Sequence, residues 1–237
     1  MVEIHELTRR YGNLEALRGL NLSILPGETF GLLGPNGAGK STTIKILATL
    51  LRPTSGTARL RGYDLVDQAN DIRRIIGYVP EGADLYDALT GMEFLDLVAD
   101  LHRLSPTEAS RRRDPLVDAF ALTDDIGRPI GGYSKGMKQK VLLIAALQHD
   151  PEILLLDEPL DGLDVAAQEH LKGILRKHTA AGRTVIYSSH ILEVVERICD
   201  RVGIIHRGRL VALGTPHQLI AENGQSSFAE LFLSLTG

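Results

Sequence analysis

GPNGAGKST, residues 34–42, stands between the apolar runs TFGLL (29–33) and TIKIL (43–47). Three glycines, a lysine and two hydroxyls occupy a junction where a core would want none of them. Gly34, Gly37 and Gly39 admit backbone conformations closed to other residues, so successive N–H groups can turn inward around an anion. Pro35, Asn36 and Ala38 complete the loop between the glycines. A helix beginning at the loop adds unpaired N–H donors and the positive end of its dipole. Lys40 brings a full charge to the β and γ phosphates of a nucleotide, Ser41 a hydroxyl for magnesium, and Thr42 a second hydroxyl nearby. The Gly-x-x-x-x-Gly-Lys-Ser spacing is the phosphate-binding loop pattern, and here it has the strand-then-helix setting that its mechanism requires.

Working outward, residues 2–7 and 20–24 alternate apolar and polar, as half-buried and antiparallel strands do. Pro26-Gly27-Glu28 makes a turn, 29–33 a strand, 39–51 a helix, and 57–61 and 75–80 further strands. From 81 to 150 the periodicity becomes helical. Thr90 and Glu93 have capping-box spacing, and Ser134 sits at the N-cap position of a helix over 135–149. Strand character returns at 153–156 and 184–187 with a helix between them. A helix over 191–199 and a strand pair over 201–213 follow. This order predicts an α/β nucleotide-type core with a helical insertion in its middle. Phe228, Leu231, Phe232 and Leu235 recur at helical spacing, predicting a final helix packed on the protein's own core, with a partner-binding tail as the other reading.

The 237 residues carry a net charge of −4, which argues against a protein built mainly to hold nucleic acid. The only dense basic run, Arg111-Arg112-Arg113, reads as a solvated helix surface. Cys199 is the single cysteine, so no internal disulfide forms, which fits a reducing compartment. The opening MVEIHELTRR has no signal-peptide pattern. Apolar runs such as 141–147 fall far short of the roughly 20 residues that span a bilayer. The expectation is a soluble chain whose membrane role, if any, comes through a partner.

Residues 153–158, ILLLDE, form an apolar run ending in two carboxylates. A strand apolar on both faces belongs inside a parallel sheet, where ligands collect at the carboxyl ends of the strands. That places Asp157 on the magnesium shell and Glu158 as base or orienter of an attacking water. Residues 184–190, TVIYSSH, repeat the arrangement. His190 can touch a γ-phosphate there, or serve structure alone.

The order of these motifs resembles the ATP-binding cassette (ABC) ATPases along essentially the whole chain. Residues 34–42 look like the Walker A loop and 153–158 like Walker B with its catalytic glutamate. Tyr133-Ser134-Lys135-Gly136-Met137 looks like the signature sequence. Gly162-Leu163-Asp164 resembles the D-loop, His190 the switch histidine, and Tyr11 the aromatic that stacks on adenine. The resemblance implies a P-loop NTPase core with a mainly parallel sheet, an antiparallel β subdomain and an inserted helical subdomain. The core would comprise 1–80 and 151–237, the helical subdomain 81–150, and a short helical tail 215–237.

Two departures stand out. The usual signature is Leu-Ser-Gly-Gly-Gln, and only Ser134 and Gly136, the residues suited to meeting a phosphate, keep its identities. Glu81 follows Gly77-Tyr78-Val79-Pro80 where the family usually has glutamine; it can still ligate magnesium or water. Both variants look like an ABC exporter branch that includes drug-resistance, lipid and polysaccharide exporters. The resemblance implies ATP and Mg2+ as cofactors and ATP hydrolysis as the reaction. It further implies a homodimer with two ATPs between subunits, each completed by the other's Ser134 and Gly136. A separate membrane permease would be met near residues 84–93, with the ATPase on the cytoplasmic side of the membrane. The alternative is a soluble ABC ATPase acting in assembly, for example of metal clusters, without a membrane subunit. One cassette and no sustained heptad run lower the nucleic-acid readings. Glu158 lowers that of a regulator without turnover.

Overall fold

The computed structural model describes residues 1–82 and 85–237. Two long strands, β1 (Val2–Tyr11) and β2 (Leu14–Ile24), open the chain. β3 (Thr29–Leu33) then leads into α1 (Lys40–Leu47). β4 (Ser55–Leu60), β5 (Tyr63–Asp64), α2 (Ala69–Ile75) and β6 (Ile76–Val79) follow. The insertion holds α3 (Gly91–Leu101), α4 (Pro106–Ala119), a 3-10 turn (Ile130–Gly132) and α5 (Lys135–Leu147). The core resumes with β7 (Ile153–Asp157), α6 (Val165–Ala180), β8 (Thr184–Ser188) and α7 (Leu192–Ile198). It closes with β9 (Arg201–His206), β10 (Arg209–Gly214), α8 (Pro216–Glu222) and α9 (Phe228–Thr236).

The strands make two sheets. One has four antiparallel strands in the order β2-β1-β4-β5; the other has six in the order β10-β9-β3-β8-β7-β6. In the six-stranded sheet β9, β3, β8, β7 and β6 run parallel, and only β10 pairs antiparallel, at the edge. Alternation along its strands divides the core. Leu154, Leu156, Val185 and Tyr187 join one apolar cluster with the insertion and the C-terminal helices. Ile153, Leu155 and Ile186 join the other, with α1 and the antiparallel sheet. Strands that supply apolar side chains to both faces explain why 153–156 and 184–187 read as unbroken apolar runs.

The antiparallel strands extend beyond the expected 2–7 and 20–24. The β1–β2 ladder shifts register after Ile4, and Glu6 has φ +48. A bulge of this kind breaks the alternation that sequence reading relies on. The first helix ends at Leu47, short of residue 51, and Thr49 has φ +60 beyond it. Strand β5 and helix α2 were not anticipated. The expected capping box is present: Glu93 N donates to Thr90 Oγ1 at 3.1 Å, and Thr90 N donates to Glu93 Oε2 at 2.8 Å. The Arg111–113 run is not uniformly solvated, since Arg113 is buried and paired with Asp96 and Asp114. The final helix lies on the protein's own core, with Phe228 and Leu231 buried.

Candidate nucleotide site

The loop after β3 is shaped by close backbone approach. A Cβ on Gly34 would fall 2.2 Å from Ile205 O, and one on Gly39 would lie 2.8 Å from Ala16 O, at φ +118. Gly39 is also the N-cap of α1; it supplies no side-chain bond, and the first turn holds no acid. The helix therefore presents its positive end and free donors to whatever fills the loop. Lys40, only 7% exposed, donates from Nζ to Gly34 O at 2.7 Å and to Pro35 O at 3.4 Å, closing the loop into a ring.

A cavity of about 650 Å³, within the usual range for small-molecule pockets, opens over this loop. Asn36, Gly37, Ala38, Gly39 and Lys40 line one wall, with Ser41 and Thr42 beside them. Glu158, His190 and Glu81 line it as well, together with Tyr11. Leu14 and Ala16 of β2 complete it. Sequence reading missed these two because no polar or aromatic feature marks them. Tyr11 is partly exposed, with the Arg9 guanidinium 4.7 Å above its ring. A flat, cation-backed phenol at the cavity mouth is suited to stacking on an aromatic base.

Asp157, fully buried at the end of β7, accepts from Ser41 Oγ at 3.2 Å and from Ser188 Oγ at 2.5 Å, both through Oδ1. Its Oδ2 is buried with no partner. A carboxylate oxygen left open beside the loop hydroxyl fits a hard divalent cation, which takes oxygen ligands and keeps waters and phosphates. No cluster of three or more His, Cys, Asp or Glu able to hold a metal occurs among the described residues. Burial, reinforced by Asp157 and then Glu81, pushes the Tyr78 phenol up to about 12.

Glu158 has φ +50, a left-handed conformation that costs energy for a non-glycine residue. Its N–H donates to Ser188 O at 3.2 Å. The twist turns its carboxylate into the cavity instead of along the strand, where His190 Nδ1 lies 2.9 Å from Oε1.

Ser134 and Gly136 do not reach this cavity. Ser134 caps α5, accepting from Met137 N at 3.2 Å. Gly136 lies against the loop after β7, where an added Cβ would come within 2.5 Å of Gly162 O. Three further contacts join the same elements: Gln139 Nε2 donates to Pro159 O at 3.1 Å, and Lys135–Asp161 and Lys140–Asp164 pair at 2.5 and 2.8 Å. Tyr133, the variant residue before Ser134, has a reason for its hydroxyl: it donates to Asp125 O at 2.7 Å inside the insertion.

A phosphate loop after β3, a buried carboxylate at the end of β7 two strands away and a carboxylate–imidazole pair beside them define a nucleoside-triphosphatase. Comparison with known proteins gives the family. Residues 17–161 match the family described as ABC transporter. The linearmycin resistance ATP-binding protein LnrL of Bacillus subtilis (strain 168) is 36% identical over 234 residues, 99% of this chain and 75% of that protein. A solved ATP-binding subunit of an ABC transporter superposes with a TM-score of 0.95 at 37% identity, covering both chains fully. A dimeric, post-hydrolysis ATP-binding cassette bound to ADP and Pi gives 0.83 at 28% identity, covering 91% of this chain and 98% of its own. The chain belongs to the ABC transporter family, as an ATP-binding subunit with ATPase activity.

Proposed function

We propose that this chain powers an exporter: two copies close on two ATPs, and a separate membrane permease uses that motion. The observation that carries the membrane partner is an apolar groove of about 300 Å³ between the core and the insertion. Tyr78, Phe94, Val98, His102 and Leu142 line it, with Leu50 at its rim. Leu50 is 63% exposed and Leu101, at the end of α3, 74%. An apolar groove with Leu50 exposed at its rim, walled by a helix that also leaves Leu101 exposed, is suited to docking. No helix among the described residues is long and apolar enough to cross a membrane, so passage through the bilayer is work for the partner. Likeness to a drug-resistance ATP-binding protein supports the outward direction. Of the expected permease contact at residues 84–93, Asp84 lies outside the described residues.

The distance of Ser134 and Gly136 from their own chain's cavity supports the dimer reading. A helix N-terminus offering N–H groups away from its own nucleotide suits another copy's γ-phosphate. In each half-site Lys40 and the loop amides hold the phosphates, while Tyr11 holds the base. Ser41, Asp157 and Glu81 are the groups that would hold Mg2+, which shields phosphate charge when bound. Glu158 orients and deprotonates the attacking water, with His190 holding Glu158 and meeting the γ-phosphate.

The test is purification of the tagged chain from gently solubilised membranes, beside a Leu50→Glu, Leu101→Glu variant. A stoichiometric polytopic protein recovered with wild type and lost with the variant, at equal ATP affinity, supports the reading. Recovery of soluble partners alone would favour the assembly ATPase.

A further inference from the structure

We propose that the seam between α4 and the C-terminal end of α6 is a second anion site, built for a phosphate monoester with an apolar substituent. It lies at the opposite end of the parallel sheet from the nucleotide cavity, where Asp150-Pro151 precedes β7 and Arg183 precedes β8. The cavity there is about 500 Å³. Leu116, Leu147 and Ile174 give it apolar walls, and Arg111, Lys177 and Arg183 bring positive charge to it.

The charges are only partly cancelled locally, since two carboxylates, Asp150 and Glu108, face four cations. Asp150 is the one acid lining the cavity, and Arg183 holds both of its oxygens. Arg112 is paired with Glu108. Arg111 is 3.9 Å from the same carboxylate and mostly exposed. Lys177 has no ion pair among the described residues. Its place in the last turn of α6 complements that helix's dipole. The dipole explains neither the approach of Arg111 from α4 nor the state of His178. That imidazole is only 7% exposed, lines the cavity, and has an Nε2 with no partner. Burial and then Arg183 pull its pKa down to about 4. The ring thus stands neutral at the cavity wall, adds no charge of its own there, and its C–H protons report what fills the site. Arg111 belongs to the insertion and Lys177 to the core, so a bound dianion spans the two.

Phenyl phosphate is the probe, titrated into the whole protein with the nucleotide site saturated by Mg-ADP. The readout is the imidazole C–H proton resonance of His178, assigned by its loss in His178→Gln. The expected result is a saturable shift, with binding weakened about tenfold, worth 1.4 kcal/mol, in Arg111→Ala, Lys177→Ala. Both of those side chains are exposed, and an unchanged melting temperature confirms the fold. No shift, or equal binding by the double variant, overturns the proposal. Sedimentation with phosphatidylcholine vesicles carrying phosphatidic acid separates the sources of the anion. Co-sedimentation abolished by the double variant assigns a lipid headgroup; phenyl phosphate binding without co-sedimentation assigns a soluble monoester.

Discussion

His190 Nδ1 lies 2.9 Å from Glu158 Oε1, across the ends of two adjacent parallel strands. The Glu158 side chain is 10% exposed and His190's is 65%. The carboxylate is therefore held in place while the imidazole stays open to a ligand. Glu158→Gln keeps the shape and removes the base. We expect phosphate release to fall by about 10²–10⁴-fold, ATP affinity to persist, and an ATP-loaded dimer to accumulate in sedimentation. Turnover near wild type would remove Glu158 from the chemistry.

Lys40 is buried and bonded to two loop carbonyls, so its loss acts on both the loop and the ligand. Lys40→Ala should weaken ATP binding by about 10–100-fold, the worth of one charge-assisted contact, measured by titration calorimetry. Equal affinity would undo the assignment of the loop. Glu81→Gln separates ligation from charge at the same cavity. Equal or faster turnover would show that its negative charge is not needed.

Gly136→Ala places a methyl 2.5 Å from Gly162 O. One of the two backbones must move, at a cost of about 1–3 kcal/mol, read as a lowered urea midpoint. Because Gly136 is remote from its own nucleotide cavity, ATP affinity of the isolated chain should hold while dimer-dependent hydrolysis falls. Lys135→Ala, which breaks an exposed pair with Asp161, should cost less than about 1 kcal/mol. Equal destabilisation by the two changes would show that the ion pair, and not backbone contact, joins these loops.

The parts legible in the sequence were those where local chemistry and strand period agree. The phosphate loop is marked by glycines that no side chain can replace, and β7 and β8 by apolar runs that only a sheet covered on both faces tolerates. Three kinds of feature were not legible. The β1–β2 pair was legible over 2–7 and 20–24, but its extension to Tyr11 and Leu14 hides behind register shifts after Ile4, which break the alternation. Leu14 and Ala16 reach the cavity only because β2 passes over the loop, and nothing in their chemistry says so. The left-handed twist at Glu158 follows from its position at the strand end, although glutamate itself carries no signal for it.

The last prediction concerns acid stability. His149 stacks on His102, ring centroids 3.6 Å apart, and its Nε2 lies 2.8 Å from Ile76 O. Burial, then the neighbouring His102, lowers its pKa from 6.5 to about 4. The unfolded chain therefore takes up a proton between these values that the folded chain refuses. The contribution is complete above pH 6.5 and is lost as pH falls toward 4. At pH 5 the loss is about 2 kcal/mol. His149→Gln keeps a donor for Ile76 O and removes the titration. Its urea midpoint should therefore fall less than wild type's between pH 7 and pH 5. Every carboxylate is common to the two proteins, so the difference between their slopes reports His149 together with its coupling to His102. Parallel slopes would mean that the folded protein admits the proton without cost.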